Sequence, residues 1–249
     1  LPPSSRSIRG EIRQFRQRLK RASYDVNEGI RENGEFRIIP LLGIGNKNPL
    51  SKVLCDLIAA TRHQLTLCTP YFNMPLVVKR EINRALKRGV RVDIIIGDKT
   101  ANDFFIPPQE PFKVISALPY LYEISLRRFL QKHQAAVERH NLNIHLWKDG
   151  DNTFHLKGLW SDERYTLLTG NNLNPRAFQL DLENAVLIDD PKGTWLKPRA
   201  EEIDLLMRNP HRVGKFDELD TLSEYPVGVR TFLRRVSRVR VERLLYRIL

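Results

Sequence analysis

Residues 154–174 read FHLKGLWSDERYTLLTGNNLN, and this stretch decides how the chain is interpreted. Two short apolar runs flank the polar segment 161–164, a pattern that predicts a β-hairpin whose first strand runs from 154 to 160. Alternate side chains of a strand point to the same face, so His155 and Lys157 are expected side by side. The stretch therefore predicts a hairpin that presents an imidazole and an ammonium together.

This pair of side chains indicates chemistry at phosphorus. A histidine and a lysine on one face are costly to bury without an anion, and a phosphate would compensate both. Lys157 would hold a non-bridging phosphate oxygen, where negative charge grows in the transition state. His155 could attack as a nucleophile or act as an acid and base near neutral pH. Asp162 would either orient a histidine or close the turn.

Polar residues beyond the hairpin extend the pattern. Asn171 and Asn172 offer amide groups to the same phosphate, and Glu183 could fix the far nitrogen of a catalytic imidazole. Non-functional interpretations are also available. An isolated His-x-Lys is usually a solvated strand face, and Glu183 could form a surface salt bridge. The complete set at this spacing is hard to obtain by chance, which favours a functional site.

The surrounding sequence predicts an α/β fold with a mixed, mainly parallel sheet flanked by helices. A proline- and aromatic-rich segment, residues 100–120, predicts an irregular insertion near a site. Strand, helix and strand joined by short turns predict a parallel pair with a right-handed crossover. Helices are predicted at about 50–60, 76–87, 122–140 and 196–207, and further strands at about 36–42, 64–68, 90–96, 143–147, 165–168 and 185–188.

Both ends of the chain are basic and amphipathic. The formal charge of +12 and the pI near 9.9 favour anionic partners, namely nucleic acid, acidic lipid surfaces or phosphorylated substrates. Apolar residues recur at helical spacing in residues 6–22 and from residue 227 to the C-terminus. In the second segment Arg230, Arg234, Arg235 and Arg238 predict an interfacial lipid binder. The alternatives are an apolar stripe that packs on the domain, or binding to nucleic acid or ribosomes.

Three further expectations concern the organisation of the chain. Residues 1–35 are expected to form a basic helix and linker, residues 36–195 the catalytic domain, and residues 196–249 a basic helical membrane-binding segment. Cys55 and Cys68 lie in apolar segments and are expected to be reduced core thiols. The chain begins at Leu1 rather than Met, so we expect a fragment or processed product.

The spacing of His155, Lys157 and Asp162, followed by Asn171 and Asn172, resembles the signature of the phospholipase D superfamily. That family usually has Gly-Ser where this chain has Thr169-Gly170, whereas Asn172 matches the amide of the family. The segments TPYF (69–72) and KRGV (87–90) also resemble those that precede the second motif copy. The Arg-rich tail and the stretch GNNLNPRAF (170–178) most resemble the phosphatidylserine synthases of Gram-negative bacteria.

The resemblance implies a fold and a reaction. Family members place two motif copies face to face, with the first histidine as nucleophile and the second as acid and base. His155 would then serve as the acid and base in phosphatidyl transfer from CDP-diacylglycerol to L-serine, and the first copy would be missing, leaving a half-site. The resemblance implies no metal and no cofactor, and a cytoplasmic protein bound peripherally to the inner membrane. The candidate substrate-binding residues are Tyr71, Asn171, Asn174 and Arg176.

Other reactions remain open at this point. A cardiolipin synthase or a phospholipase D hydrolase would share the chemistry and differ in the acceptor. A nuclease of the superfamily suits the charge equally well. A non-catalytic lipid- or RNA-binding module is a further alternative.

Overall fold

The computed structural model describes residues 5–21, 37–45 and 48–238. Seven α-helices and eight β-strands occur in this part of the chain. The helices are α1 (Ser5–Arg21), α2 (Pro49–Ala60), α3 (Leu76–Lys87), α4 (Leu118–Glu138), α5 (Pro175–Gln179), α6 (Leu196–Leu206) and α7 (Val227–Arg238). The strands are β1 (Arg37–Ile44), β2 (Gln64–Thr69), β3 (Arg91–Gly97), β4 (Leu142–Trp147), β5 (Gly158–Ser161), β6 (Tyr165–Thr169), β7 (Leu182–Asp189) and β8 (Pro210–Val213).

All eight strands form one sheet in the order β1-β7-β6-β5-β2-β3-β4-β8. The predicted α/β class and the parallel pairing of β2 with β3 are confirmed, and β4 adds a second parallel pair. The prediction of a mainly parallel sheet is wrong, because the other five strand pairs are antiparallel. Only the segments with helical crossovers build parallel pairs, while the tight β5–β6 turn and the returning edge strands β1 and β8 build antiparallel ones.

The central strands are buried on both faces, which explains their continuous apolar runs. In β3, Val92, Ile94 and Ile96 pack into the large core under α2, α3 and α4. Ile95 points to the other face, where it joins Trp160 in a smaller core covered by α6. Burying each such side chain contributes about 1.5–3 kcal/mol relative to exposure. These two cores make the sheet rigid, and the candidate site projects from that sheet.

Most elements lie where the sequence predicts them. The helix predicted at 76–87 is α3, and Gly89 follows its end with a positive φ of +85°, a conformation that favours glycine. Strand β8 and the short helix α5 were not predicted, because each has too few residues to show a period. The structure describes the N-terminal helix as α1 and the first part of the tail helix as α7. The predicted linker before residue 36 and the residues after 238 lie outside the described part of the chain.

Helix α7 packs on the domain through its apolar stripe. Val229 and Leu233 are buried in a cluster with Tyr225 and Tyr122, and Phe232 contacts Phe112 of the insertion with ring centroids 5.9 Å apart. Within the described part of the tail helix, the apolar face therefore packs on the domain, as the packing alternative expected. Arg234 and Arg235 remain exposed, Arg230 donates a hydrogen bond to the Ser223 carbonyl at 2.9 Å, and the side chain of Arg238 lies outside the described part.

Two further features bear on the environment of the protein. None of the described helices has both the length and the apolar character required to cross a bilayer. Both cysteines are free thiols. Burial raises the pKa of Cys55 to about 11 and that of Cys68 to about 12, so both stay protonated and unreactive at neutral pH.

Candidate active site

His155 and Lys157 lie in an extended segment just before β5, not in the strand as predicted. The strand begins only at Gly158, because the preceding residues pair with the insertion instead of with a neighbouring strand. The Phe154 N–H donates to the Ala101 carbonyl at 2.9 Å. The two side chains nevertheless lie together, with 3.4 Å between Lys157 Nζ and His155 Nδ1. The expected pairing of imidazole and ammonium is thus present.

The insertion after β3 supplies a carboxylate for this histidine. Asp98 accepts hydrogen bonds from the backbone N–H and the hydroxyl of Thr100, at 2.8 and 2.7 Å, and so fixes the first turn of the insertion. Asp103 then accepts a hydrogen bond from His155 Nε2. Because an ammonium can only donate, the Nδ1 atom beside Lys157 must be the acceptor, which leaves the ring proton on Nε2. The arrangement orients the imidazole and fixes its tautomer.

Asp103 is the functional residue that sequence reasoning missed. Glu183 was predicted to fix the far nitrogen of an imidazole, but in this structure Asp103 occupies that position at His155. The sequence did carry a partial signal, since residues 100–120 were predicted to be an insertion near a site. No local pattern singled out Asp103, which lies 52 residues from the histidine it contacts.

Glu183 lies on the lysine side of the site. Burial raises its pKa, and the negative charge of Asp181 adds to this effect, while Lys157 and Arg176 oppose it. Burial conversely lowers the pKa of Lys157, although Glu183 and Asp103 attract its charge. Burial therefore makes the charged forms of Glu183 and Lys157 unfavourable. An incoming phosphate would stabilise the charged form of the lysine.

Asp162 closes the turn instead of contacting His155. Its Oδ1 accepts hydrogen bonds from the backbone N–H groups of His63 and Gln64, at 2.8 and 3.0 Å, and its Oδ2 from that of Arg62, at 3.0 Å. Burial works against its ionisation, but these three donors outweigh burial and lower its pKa. Of the two roles that the sequence allowed, these contacts are those of turn closure: Asp162 lies at the opposite end of β5 from Lys157 and fastens that hairpin to the start of β2.

The asparagine loop after β6 is held by its own side chains. The Asn171 N–H donates to Thr169 Oγ1 at 3.0 Å, and Asn171 Oδ1 accepts from the Leu173 N–H at 2.8 Å. Leu173 has a φ of +52°, an uncommon conformation for a bulky residue and one that costs energy. Asn171 Nδ2 and Asn172 Oδ1 are buried and meet no hydrogen-bond partner among the described residues. Such atoms are typical of a site that a ligand or another part of the protein completes.

The predicted substrate-binding residues come together around Tyr71. Asn174 donates from Nδ2 to the Tyr71 hydroxyl at 2.9 Å, while its Oδ1 accepts from the Ala177 N–H and caps α5. Arg176 is exposed, bonds Asp181 at 3.0 Å and also interacts electrostatically with Tyr71. Asn171 is the exception, because it is fully buried beneath the loop.

A small cavity of about 20 Å³, with room for roughly one water molecule, lies beside Tyr71. The Tyr71 ring forms one wall, stacked on Tyr122 with centroids 4.3 Å apart. Gly97 forms another wall and must be glycine, since a Cβ there would lie 2.8 Å from the Pro70 carbonyl oxygen and 3.1 Å from Phe154 Cβ. Lys99, Asn102 and Glu123 supply the polar lining. A larger groove of about 880 Å³ lies at the Asp162 end of the hairpin, on α6.

These features of fold and motif agree with the comparison with known proteins. Residues 54–203 match the family described as "Cardiolipin synthase, PLD-like domain". The match covers more than half of the chain, so the protein belongs to the phospholipase D-like family, as the motif predicted.

Two relatives that match nearly the whole chain are named as enzymes that act on CDP-diacylglycerol and serine. The chain is 48% identical over 247 residues to the CDP-diacylglycerol–serine O-phosphatidyltransferase PssA of Escherichia coli (strain K12), covering 99% of this chain and 54% of that protein. It is 43% identical over 249 residues to the enzyme of the same name from Haemophilus influenzae, covering 99% and 55%. The crystal structure of the Haemophilus influenzae phosphatidylserine synthase superposes with a TM-score of 0.94, over 100% of this chain and 56% of that one. The chain spans about half the length of the curated relatives it matches.

Proposed function

We propose that the protein of which this chain is a part transfers a phosphatidyl group from CDP-diacylglycerol to L-serine, giving phosphatidylserine and CMP. The observation that carries the proposal is the Asp103–His155–Lys157 arrangement at the head of β5. The names of the relatives in Escherichia coli and Haemophilus influenzae support this donor and this acceptor.

His155 acts as the acid and base in this proposal. In the first half-reaction a histidine from the missing first motif copy attacks phosphorus, forming a P–N bond as the P–O bond to CMP breaks. His155 enters this step as the imidazolium, with a second proton on Nδ1 in place of the Lys157 contact, and gives that proton to the departing CMP oxygen. In the second half-reaction His155 takes the proton of the serine hydroxyl, whose oxygen attacks phosphorus as the P–N bond breaks. Asp103 holds the imidazole in place, and Lys157 stabilises a non-bridging oxygen throughout.

The remaining predicted residues take supporting roles. Asn172 lines the phosphate site, with Glu183 beside Lys157, and the buried Asn171 shapes the loop that carries Asn172. Tyr71, Asn174 and Arg176 bind more distant parts of the donor, and the exposed Arg176 is suited to a phosphate. Asp162 positions the hairpin that carries the motif.

The protein acts at an anionic membrane surface on the cytoplasmic side, in keeping with a lipid donor. Arg234 and Arg235 face solvent from α7 and are available to lipid headgroups, and Arg230 and Arg238 belong to the same helix. The apolar stripe of α7 is occupied within the domain, so the same arginines are equally available to nucleic acid or ribosomes. The experiment therefore includes DNA cleavage as an alternative outcome.

The test uses the full-length protein with labelled CDP-diacylglycerol in mixed micelles and L-serine, glycerol or water as acceptor. We expect serine-dependent CMP release, reduced about 10²–10⁴-fold by His155→Ala and similarly by Lys157→Ala, without unfolding. The matched controls are His211→Ala and Lys215→Ala, two exposed residues remote in sequence from the motif. DNA cleavage without lipid turnover would overturn the proposal, as would wild-type rates in either motif variant.

A further inference from the structure

The insertion after β3 carries exposed apolar side chains where it meets α7. Phe112, Val114 and Ile115 have 40%, 61% and 45% of their surface exposed, and Val227 at the start of α7 has 68% exposed. A Cβ at Gly228 would lie 2.8 Å from Phe112 Cβ, so the insertion packs closely on α7 at the residue next to Val227. The four exposed side chains therefore form one patch, which we call the apolar tip.

The apolar tip is fixed in place by the structure beneath it. The backbone N–H and the hydroxyl of the buried Ser116 both donate to the Lys113 carbonyl, at 2.9 and 2.7 Å, and close the turn that displays Val114 and Ile115. The short helix that begins at Val114 contacts α7, and both pack on the buried cluster around Tyr225. Because this turn is ordered in advance, little conformational entropy is lost when the tip binds a partner.

The chemistry of the tip fits a bilayer better than another protein. Lys113 is exposed between Phe112 and Val114, and Arg234 and Arg235 are exposed farther along α7. Residues 104–117 contain a single acidic residue. Interfaces between proteins are depleted in lysine. Exposed apolar side chains mixed with cations are instead typical of segments that lie between the headgroups and the acyl chains of anionic lipids.

The same insertion carries the partner of the candidate catalytic histidine. Asp103 bonds His155 Nε2, and Phe104, the next residue, is exposed. Prolines at positions 107, 108 and 111 restrict the backbone between Asp103 and the tip. A bilayer that holds the tip therefore also holds the segment that orients His155, which suits a reaction whose donor is a lipid.

We propose that the apolar tip enters the boundary between the headgroups and the acyl chains of an anionic bilayer, with Lys113 at the level of the headgroups. The inference rests on the membrane association proposed above and names the element that penetrates the lipid. The arginines of α7 make a separate, electrostatic contact. Salt distinguishes the two contributions, because it screens exposed charges without weakening the burial of apolar side chains.

The experiment measures sedimentation of the full-length protein with sucrose-loaded vesicles of phosphatidylcholine and phosphatidylglycerol, at low salt and at about 1 M NaCl, where the Debye length is about 3 Å. We expect the double variant Val114→Ser, Ile115→Ser to bind about 10- to 100-fold more weakly than the wild type at both salt concentrations, since roughly half of each side chain is available for burial. Replacing Arg234 and Arg235 by Gln should weaken binding only at low salt.

The matched control is Ile38→Ser, on the edge strand β1 at the far side of the sheet. This isoleucine is 54% exposed, as much as the residues of the tip, and its replacement should leave vesicle binding unchanged. Val227→Ser provides a second variant should the double variant fail to fold, with an expected loss of about 5- to 30-fold.

Two results would overturn the assignment. Equal binding of the wild type and the tip variants would show that the tip does not enter the bilayer, as expected if the rest of the protein or a second copy covers it. Wild-type binding that disappears at about 1 M salt would show that charge alone holds the protein on the membrane. The assay contains neither CDP-diacylglycerol nor serine, so a failure of the proposed transfer reaction would be seen separately, as absent CMP release alongside intact sedimentation.

Discussion

Replacing Asp162 should cost the protein stability while leaving the chemistry intact. The carboxylate accepts three backbone hydrogen bonds at the start of β2, two on Oδ1 and one on Oδ2. Each contributes about 1 kcal/mol at this partly exposed position. Asp162→Ala should therefore lower the free energy of unfolding by about 3 kcal/mol. Asp162→Asn keeps the acceptor at Oδ1 and should lose only about 1 kcal/mol.

Urea unfolding of the wild type and both variants measures these differences, with Asp151→Ala as the exposed-carboxylate control. The pH dependence provides a second check. Because the pKa of Asp162 is lowered on folding, its stabilisation is present above the ordinary value of 3.8 and is lost as the pH falls through the folded pKa. The gap between wild type and Asp162→Asn should therefore narrow in acid.

The activity of the folded variants separates the turn-closing role from a catalytic one. At a temperature where Asp162→Ala remains folded, its kcat should stay within about twofold of the wild type, since the side chain does not contact His155. A stability loss below about 0.5 kcal/mol, or a drop in kcat as large as that of His155→Ala, would refute the reasoning about this residue.

Three other substitutions test the site and the surface. Asp103→Asn should reduce kcat about 100-fold, because the imidazole loses its orienting carboxylate; a rate equal to that of a Glu110→Gln control would exclude that role. Burial raises the pKa of Glu183 in the folded chain, so the ionised carboxylate is unfavourable above that pKa. Glu183→Gln should accordingly raise the Tm at pH 7, and the gain should vanish below the ordinary value of 4.5; an unchanged Tm at pH 7 would contradict this. Replacing Arg234 and Arg235 by Gln should weaken sedimentation with anionic vesicles by about 2 kcal/mol, near 30-fold, without changing the Tm; undiminished sedimentation would show that other surfaces bind the lipid.

The sequence was most informative where structure is local. The crossover from β2 through α3 to β3 follows from periodicity and from Gly89, and the β5–β6 turn from its polar residues. The start of β5 was misplaced because residues before Gly158 alternate like a strand but are bonded to the insertion. The alternation of apolar and polar residues predicts an extended backbone, but it does not predict which neighbouring segment forms the backbone hydrogen bonds.

Contacts between residues distant in sequence could not be predicted, either in the sheet or in the candidate site. Three of the five antiparallel pairs, β1–β7, β2–β5 and β4–β8, join strands that are distant in sequence, and no local pattern identifies these partners. Asp103 lies 52 residues from His155, and only the fold brings the two side chains together. The histidine, the lysine and Glu183 could be found from the sequence, whereas Asp103 could not.

The position of β1 has a consequence for biogenesis. Arg37 of β1 bonds Asp189 of β7 across 152 positions of the chain. At roughly 5–20 residues per second, a ribosome adds the partner strand on the order of ten seconds after β1. During that interval β1 is an unpaired apolar segment, the kind that templates aggregation. Pro40 lies within it and cannot donate a backbone hydrogen bond, which disfavours the pairing of this edge with another chain.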